Sequence, residues 1–166
     1  IKVERPGAGD DTRAWGPPFI EDINGGRLSS AYNLACNRGK LSLAVDFTKP
    51  EGRKIVVALA KQSDVLVENY KVGGLAKYGL DYASVAHENP RLVYCSITGF
   101  GQDGPYAGRA GYDFIIQGMA GFMSVTGERD DLPGGGPQKA GVAITDLMTG
   151  MYATIAIQAA LAHRDR

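Results

Sequence analysis

DVLVENYKVGGLAKYGLDYASVAHENPRLVYCSITGF, residues 64–100, is the stretch that decides the fold class. It begins and ends with apolar runs typical of strands, DVLVEN and RLVYCSITGF. Between them, GGLAKYGL and DYASVAHENP have the composition of two short helices. Two strands joined by a helical connection predict a unit with parallel strands.

The same alternation continues on both sides of this unit. The further predicted elements are strands at residues 1–4 and 41–46, a helix that begins near Pro50, a helix within 111–127 and a long helix over 145–164. Residues 5–37 and 128–140 are predicted to be irregular because Gly, Pro and polar residues interrupt them. The predicted fold class is α/β, with a Rossmann-like, open and mainly parallel sheet and flanking helices.

The composition of the 166 residues is that of one globular domain, with 44% hydrophobic and 22% charged residues. Eighteen basic residues balance 18 acidic ones, which gives no electrostatic case for a nucleic-acid or anionic-membrane partner. No run of about 18 apolar residues predicts a membrane span. The two cysteines and two histidines do not cluster, so we expect neither a metal site nor a disulfide framework. The expected compartment is the cytoplasm, or the mitochondrion in a eukaryote.

Polar side chains follow the predicted strand at 64–69. Asn69 can donate and accept hydrogen bonds, and Tyr70 offers a ring on which a base can stack. Because ligands of open α/β sheets bind beyond the carboxyl ends of the strands, these residues are a candidate binding site. The alternative interpretation is a polar strand end with a tyrosine that anchors it.

The segment RAGYD, residues 109–113, brings a cation, a phenol and a carboxylate together after another strand. It is a candidate site, but Asp113 could equally begin a helix, with Tyr112 in the core. The preceding GFGQDG does not match the spacing of a dinucleotide-binding loop, and no phosphate-binding loop is present. These glycines are therefore interpreted as turn residues.

The segment GVAITDLMTG, residues 141–150, places a lone carboxylate at a predicted helix start. In one interpretation Thr145 is the N-cap and Asp146 complements the helix dipole. In the other, the N–H groups of the helix start keep Asp146 ionised, and the apolar residues around it exclude water. Such a carboxylate is a competent nucleophile towards an activated acyl group. The segment by itself leaves both interpretations open.

Taken in order, IKVERPGAGDDTR, VDFTKPEGR, DVLVENY, NPRLVYCSITGFGQDGPY, RAGYD and GVAITDLMTGMYA resemble the family III CoA-transferases. This is the carnitine-dehydratase/bile-acid-inducible group, which also contains α-methylacyl-CoA racemases. The motifs cover nearly the whole chain, and the resemblance is strongest to the branch that contains succinyl-CoA:glutarate CoA-transferase. It implies that residues 1–166 are a truncated part of the large domain of an interlocked homodimer. A first strand–helix unit, a small domain and a return segment would lie outside them.

The resemblance also implies roles for individual residues. The catalytic aspartate falls on Asp146, whose carboxylate would attack the acyl-CoA thioester, and the acyl pocket falls on Tyr112 and Asp113. Coenzyme A, bound as acyl-CoA substrate and without a metal, would be contacted by Arg5, Val45, Asn69, Tyr70, Lys77, Arg109 and Ala110. Thr48 and Ala110 stand where some relatives carry lysine. The implied reaction moves CoA from an acyl-CoA to a carboxylic, most simply a dicarboxylic, acid.

Two alternatives to a transferase stay open at this point. Racemases of the group carry a histidine where this chain has Tyr112, and tyrosine is a poor base at neutral pH because its ordinary pKa is about 10. This argues against an α-methylacyl-CoA epimerase. The second alternative is a CoA-binding segment without catalytic activity of its own.

Overall fold

The computed structural model describes residues 1–166. The helices are Ala31–Asn37 (α1), Pro50–Lys61 (α2), Tyr82–Glu88 (α3), Asp113–Met119 (α4) and Ile144–Arg164 (α5). The strands are Lys2–Glu4 (β1), Phe19–Glu21 (β2), Arg27–Ser30 (β3), Ser42–Ala44 (β4), Val65–Glu68 (β5) and Val93–Ser96 (β6). Single 3₁₀ turns occur at Asp11–Ala14, Ala76–Tyr78 and Phe122–Ser124. The chain forms two compact units, Ile1–Val56 and Val57–Arg166, whose boundary lies within α2.

The first unit contains a parallel and an antiparallel strand pair. β1 pairs in parallel with β4, with Val3 opposite Leu43, and β2 pairs with β3 as a hairpin. The hairpin turn is held by Asp22, whose Oδ1 accepts the N–H groups of Asn24 and Gly26 at 2.7 and 2.9 Å. The prediction that residues 5–37 are irregular was therefore wrong. The signal it overlooked is the Asn24–Gly25 dipeptide, which is typical of hairpin turns.

Polar side chains fill much of the interior of the first unit. Glu4, Ser30 and Asn33 are buried, whereas Val45 is its one buried apolar side chain. The Asn33 amide donates to Thr12 Oγ1 at 3.0 Å, and the Ser30 hydroxyl donates to the Thr12 carbonyl at 2.5 Å. These bonds satisfy groups that would otherwise lose hydrogen bonds to water, so the unit is held by polar pairing as well as apolar packing.

The second unit contains the strand–helix–strand arrangement predicted from residues 64–100. β5 pairs in parallel with β6, with Val65 opposite Val93, and α3 lies between them in the chain. Ala60, Val85 and Leu92 form the buried core, against which Leu66 and Tyr94 pack. The α/β class and the mainly parallel pairing are confirmed, although the strands form three separate two-stranded sheets.

Most of the remaining predicted elements are also confirmed. α2 begins at Pro50, which fits the first helical turn because that position needs no backbone N–H donor. The helix predicted within 111–127 is α4, followed by the turn Phe122–Ser124, and α5 begins one residue earlier than expected. Residues 128–140 contain no helix or strand. None of the helices has the length and apolar character needed to cross a bilayer.

Candidate functional site

The first turn of α5 carries the candidate nucleophile. Asp146 is the third residue of this 21-residue helix, and it is exposed. The N-cap position is occupied by Ala143, which offers no side-chain acceptor to the first N–H groups. Thr145 lies inside the helix, so the prediction that Thr145 is the N-cap was wrong.

The acceptor for these N–H groups comes from α4 instead. Asp113, the first residue of α4, is buried, and its Oδ1 accepts the Thr145 N–H at 2.8 Å and the Asp146 N–H at 3.3 Å. The Thr145 hydroxyl donates to the same oxygen at 2.5 Å. Asp113 thus caps α5 from a distant position in the sequence, which satisfies donors that the helix cannot satisfy itself.

Gln117 is a site residue that the sequence interpretation missed. Its side chain is fully buried, and its Nε2 donates to Asp113 Oδ2 at 2.5 Å. Its Oε1 accepts the Ala140 N–H at 2.9 Å, which holds the segment that leads into α5. The available signal was the i, i+4 spacing of Asp113 and Gln117, which puts them on one helix face.

The two aspartates have pKa values shifted in opposite directions. Burial raises the pKa of Asp113, but the hydrogen bonds from Thr145, Gln117 and Asp146 outweigh this and leave that pKa lowered. Partial loss of hydration at the otherwise exposed Asp146 carboxyl, and next the charge of Asp113, raise the pKa of Asp146. The expectation that the helix start would favour the ionised form of Asp146 was therefore wrong. The N–H groups that were expected to stabilise Asp146 are used by Asp113.

The surroundings of Asp146 are more open than the sequence suggested. Val142, Leu147 and Met148 are 55%, 46% and 45% exposed. The described residues therefore do not form the water-free pocket that was expected. Tyr112 is 73% exposed at the N-cap position of α4, so the alternative that placed it in the core was wrong.

Two glycines bring the segment 109–113 against the end of β6. A Cβ atom on Gly99 would lie 2.3 Å from the Cα of Gly111, so the two backbones approach more closely than any other residue allows. The sequence interpretation treated Gly99 as a turn residue and missed this contact. It places the candidate residues Arg109, Ala110 and Tyr112 beside the carboxyl end of β6.

Asn69 and Tyr70 directly follow the carboxyl end of β5, as expected, and both are exposed. The Tyr70 N–H donates to Glu68 Oε2 at 2.7 Å. Burial, and then the charge of Glu68, raise the pKa of the Tyr70 phenol. The exposed ring and the exposed amide leave a surface that a ligand can reach.

Two exposed cations of the second unit stack on tyrosine rings. Lys77 lies in the turn Ala76–Tyr78, with its Nζ 4.9 Å from the centroid of the Tyr78 ring. The Arg109 guanidinium lies 4.9 Å from the centroid of Tyr106. These contacts orient both side chains but leave their N–H donors available for an anion.

The remaining two candidate residues lie in the first unit. Arg5 follows β1 and Val45 follows β4, so both are at the carboxyl ends of a parallel strand pair. The Val45 N–H donates to the Glu4 carbonyl at 2.8 Å. The exposed Arg5 guanidinium forms an ion pair with Asp11 and donates from Nε to the Gly9 carbonyl at 3.2 Å. No group of three or more His, Cys, Asp or Glu side chains is placed to hold a metal ion, and the expectation of no metal stays a prediction.

The family model described as CoA-transferase family III matches residues 1–166. Succinate–glutarate CoA-transferase of Agrobacterium fabrum is 60% identical over 166 residues, which are 100% of this chain and 40% of that protein. Succinyl-CoA:glutarate CoA-transferase of Mus musculus is 51% identical over 166 residues, which are 100% of this chain and 36% of that protein.

A solved structure is similar over almost the whole chain. The crystal structure of a CAIB/BAIF family protein from Brucella suis superposes with a TM-score of 0.90 at 59% sequence identity. The similarity covers 99% of this chain and 42% of that one. The chain thus spans less than half the length of each of these relatives.

Proposed function

Because this chain belongs to CoA-transferase family III, we propose that the protein that carries it moves coenzyme A from an acyl-CoA donor to a carboxylic acid. The observation that carries the proposal is Asp146, an exposed carboxylate in the first turn of α5 whose pKa is raised. A carboxylate that is less stabilised as an anion shares its electron pair more readily with an acyl carbon. The names of the two relatives support dicarboxylic acids as donor and acceptor acids.

In the proposed reaction, the Asp146 carboxylate attacks the thioester carbon of acyl-CoA. The carbon–sulfur bond breaks, which gives a mixed anhydride and the CoA thiolate. The thiolate then attacks the Asp146 carbonyl of the anhydride, so that the donor carboxylate leaves and Asp146 becomes a CoA thioester. The acceptor carboxylate repeats both steps in reverse and restores free Asp146. Each step exchanges one anion for another, which divides a difficult transfer into easier ones.

Coenzyme A is proposed to contact the exposed residues that follow the parallel strands. Arg109, Lys77 and Arg5 carry the positive charge that phosphate groups require, and Arg can bind them through two parallel hydrogen bonds. Asn69 and Tyr70 supply amide hydrogen bonds and a ring for stacking. The remaining proposed contacts are Ala110 and Val45, of which Val45 is buried. Tyr112 is proposed to line the acyl pocket, whereas the carboxylate of the buried Asp113 accepts hydrogen bonds from within the protein.

We further propose that residues 1–166 are part of the large, CoA-binding and catalytic domain of a homodimer. The family membership supports this assignment, as does the position of the candidate residues at strand ends. The free thiols of Cys36 and Cys95 fit a reducing compartment such as the cytoplasm, or the mitochondrion in a eukaryote. The proposed ligands are acyl-CoA and carboxylic acids, with no nucleic acid, membrane or metal.

The first prediction concerns the nucleophile. In the full-length protein, Asp146→Asn should reduce the rate of CoA transfer between succinyl-CoA and glutarate by about 10³-fold or more, because an amide does not attack the thioester. Hydroxylamine added during turnover should convert the acylated side chain into a hydroxamate, which peptide mass spectrometry should locate on Asp146.

The matched control is Asp165→Asn, the same chemical change just beyond the other end of α5. It should transfer CoA at the wild-type rate. Transfer at the wild-type rate by Asp146→Asn, or a hydroxamate on a different residue, would contradict the assignment of Asp146. Exchange of the α-hydrogen with deuterated solvent, without an acceptor acid, would identify an epimerase instead.

A further inference from the structure

The carboxylate of Asp113 accepts four hydrogen bonds from within the protein. Its Oδ1 accepts from the Thr145 N–H at 2.8 Å, the Thr145 hydroxyl at 2.5 Å and the Asp146 N–H at 3.3 Å. Its Oδ2 accepts from Gln117 Nε2 at 2.5 Å. Each oxygen of an ionised carboxylate has about two lone-pair sites. Three donors share those of Oδ1, and the one site left on Oδ2 belongs to a side chain in a residue that is only 7% exposed. Little hydrogen-bonding capacity is left for a substrate.

Asp113 is also held in place from its other side. Gln117, one helical turn later, is fully buried and binds both Asp113 and the Ala140 N–H at 2.9 Å. α4 and the segment before α5 are therefore joined through one side chain. A buried network in which each member has its partners fixes a single arrangement more strongly than separate contacts do.

This network ends at the backbone of the proposed nucleophile. The first turn of α5 has no side-chain cap of its own, so Asp113 is the group that binds the N–H of Asp146 itself. The side chain of Asp146 is exposed and forms no hydrogen bond of its own, although it feels the charge of Asp113. The direction of the Asp146 carboxylate consequently depends on the backbone that Asp113 holds.

We propose that Asp113 is a positioning residue for Asp146: it fixes the first turn of α5 through the Thr145 and Asp146 N–H groups and does not bind the acyl group. This inference rests on the proposed function, in which Asp146 is the nucleophile. A displacement of about 1 Å at a reacting group costs roughly 10²-fold in rate. The negative charge of Asp113 also favours the reaction, because it contributes, after burial, to the raised pKa of the Asp146 carboxylate.

The test is Asp113→Asn in the full-length protein. The asparagine NH₂ group would face the Gln117 amide donor, so the network loosens while the side-chain volume is unchanged. We expect kcat for CoA transfer to fall roughly 10²-fold, with KM values for acyl-CoA and for the acceptor acid within about threefold of wild type. Amide hydrogen exchange in residues 144–148 should accelerate. Asp165→Asn serves as control and should change none of these quantities.

An unchanged kcat in folded Asp113→Asn would overturn the inference. So would a change confined to the KM of the acid, since that is the result expected of a residue that lines the acyl pocket. Should Asp113→Asn fail to fold, Thr145→Val removes one donor to Asp113 and keeps the side-chain shape. It should lower kcat about tenfold with unchanged KM values, and a wild-type kcat would again overturn the inference.

The experiments distinguish a failure of the positioning role of Asp113 from a failure of the proposed function of Asp146. If no hydroxamate forms on Asp146 and Asp146→Asn is active, the proposed function fails whatever Asp113 does. If Asp146 is acylated and essential but Asp113→Asn has wild-type kinetics, only the positioning role is lost.

Discussion

At the scale of single residues, the pKa of each carboxylate depends on how deeply it is buried and on the hydrogen bonds and charges around it. Asp113 and Asp146 are adjacent in space, yet their pKa values move apart. At Asp113 burial is outweighed by the hydrogen bonds that the carboxylate accepts, whereas burial and the charge of Asp113 both raise the pKa of Asp146. Divergent pKa values in a pair of acids are a feature of sites that perform chemistry. Glu4 in the first unit shows the structural counterpart, a buried acid that is held ionised.

The second residue-scale prediction concerns Glu4. The Arg13 guanidinium, at 2.9 Å, lowers the pKa of Glu4 from its ordinary 4.5 to about 2 against the opposing effect of burial, with help from the Asp10 N–H and the Ser42 hydroxyl. Since the pKa is lower in the folded state, the stabilisation is complete above pH 4.5 and is lost as the pH falls towards 2. Glu4→Gln should therefore weaken the unit by about 2 kcal/mol at pH 7.

Hydrogen–deuterium exchange of residues 2–14 in the full-length protein measures this effect as protection factors. The difference between wild type and Glu4→Gln should shrink from pH 7 to pH 3. Glu21→Gln, an exposed glutamate on β2, is the matched control and should alter protection little. A difference that stays constant with pH would show that ionisation of Glu4 contributes nothing.

At the scale of elements, helix ends are completed by side chains that come from elsewhere in the chain. Asp113 accepts from the first N–H groups of α5. At its other end, Arg164 donates to the Arg91 carbonyl at 3.1 Å and pairs with Asp64 at 3.0 Å, which ties α5 to the residues before β5 and β6. Asn89 donates to the carbonyl of Ala60, in the last turn of α2, and to that of Ser63, just beyond its end. The contacts of Asp113 and Asn89 satisfy groups that a helix leaves without intrahelical partners, whereas those of Arg164 join α5 to its neighbours.

The element-scale prediction concerns Asn89. Its Nδ2 donates to the Ala60 and Ser63 carbonyls at 3.0 and 2.9 Å, one hydrogen for each. Asn89→Asp has the same shape but loses both donors and brings an anion towards two carbonyl oxygens. We expect a loss of about 2 kcal/mol in local stability at the end of α2, or roughly a 30-fold loss of amide protection there.

Peptide-resolved hydrogen exchange over residues 56–63 reports this loss directly. Gln62→Glu is the matched control, because it makes the same amide-to-acid change at an exposed position near the same helix end. It should change protection by less than about threefold. Equal effects of the two variants would mean that the Asn89 bonds do not hold α2.

At the scale of the whole molecule, the two units contain few buried apolar side chains. The first unit has Val45 alone, and the second has Ala60, Leu75, Leu80, Val85 and Leu92. Large apolar side chains such as Ile23, Leu28 and Met151 are 100%, 62% and 67% exposed. Small units with so little buried apolar surface have little free energy to offset the conformational entropy of folding.

The molecule-scale prediction is that residues 1–166, produced alone, bind the dye ANS strongly and unfold over a broad temperature range. The physical reason is the exposed apolar surface together with the small cores. Calorimetry and dye fluorescence measure both properties. A sharp transition with an enthalpy of about 100 kcal/mol, near the value for a compact domain of this length, would contradict it.

The order of strands and helices after residue 37, and the candidate residues at their ends, followed from the sequence, whereas β2, β3 and α1 were not predicted. The signals for these elements are local: hydrophobic periodicity, Pro50 and the polar residues that end strands. The predicted strand–helix–strand unit of residues 64–100 is present as β5, α3 and β6. The motifs also indicated the family to which the chain belongs. The hairpin in residues 19–30 was equally local, in its Asn24–Gly25 dipeptide, and was overlooked.

The cap of α5 was decided only by the tertiary structure. Thr145 has the right chemistry for an N-cap, but Asp113 reaches the helix start from 32 residues away and takes its N–H groups. No local pattern reports which of two acceptors wins, because the outcome depends on how α4 packs against α5. The expected direction of the pKa shift of Asp146 was also reversed, since burial and the charge of Asp113 both depend on distance in space and not along the chain.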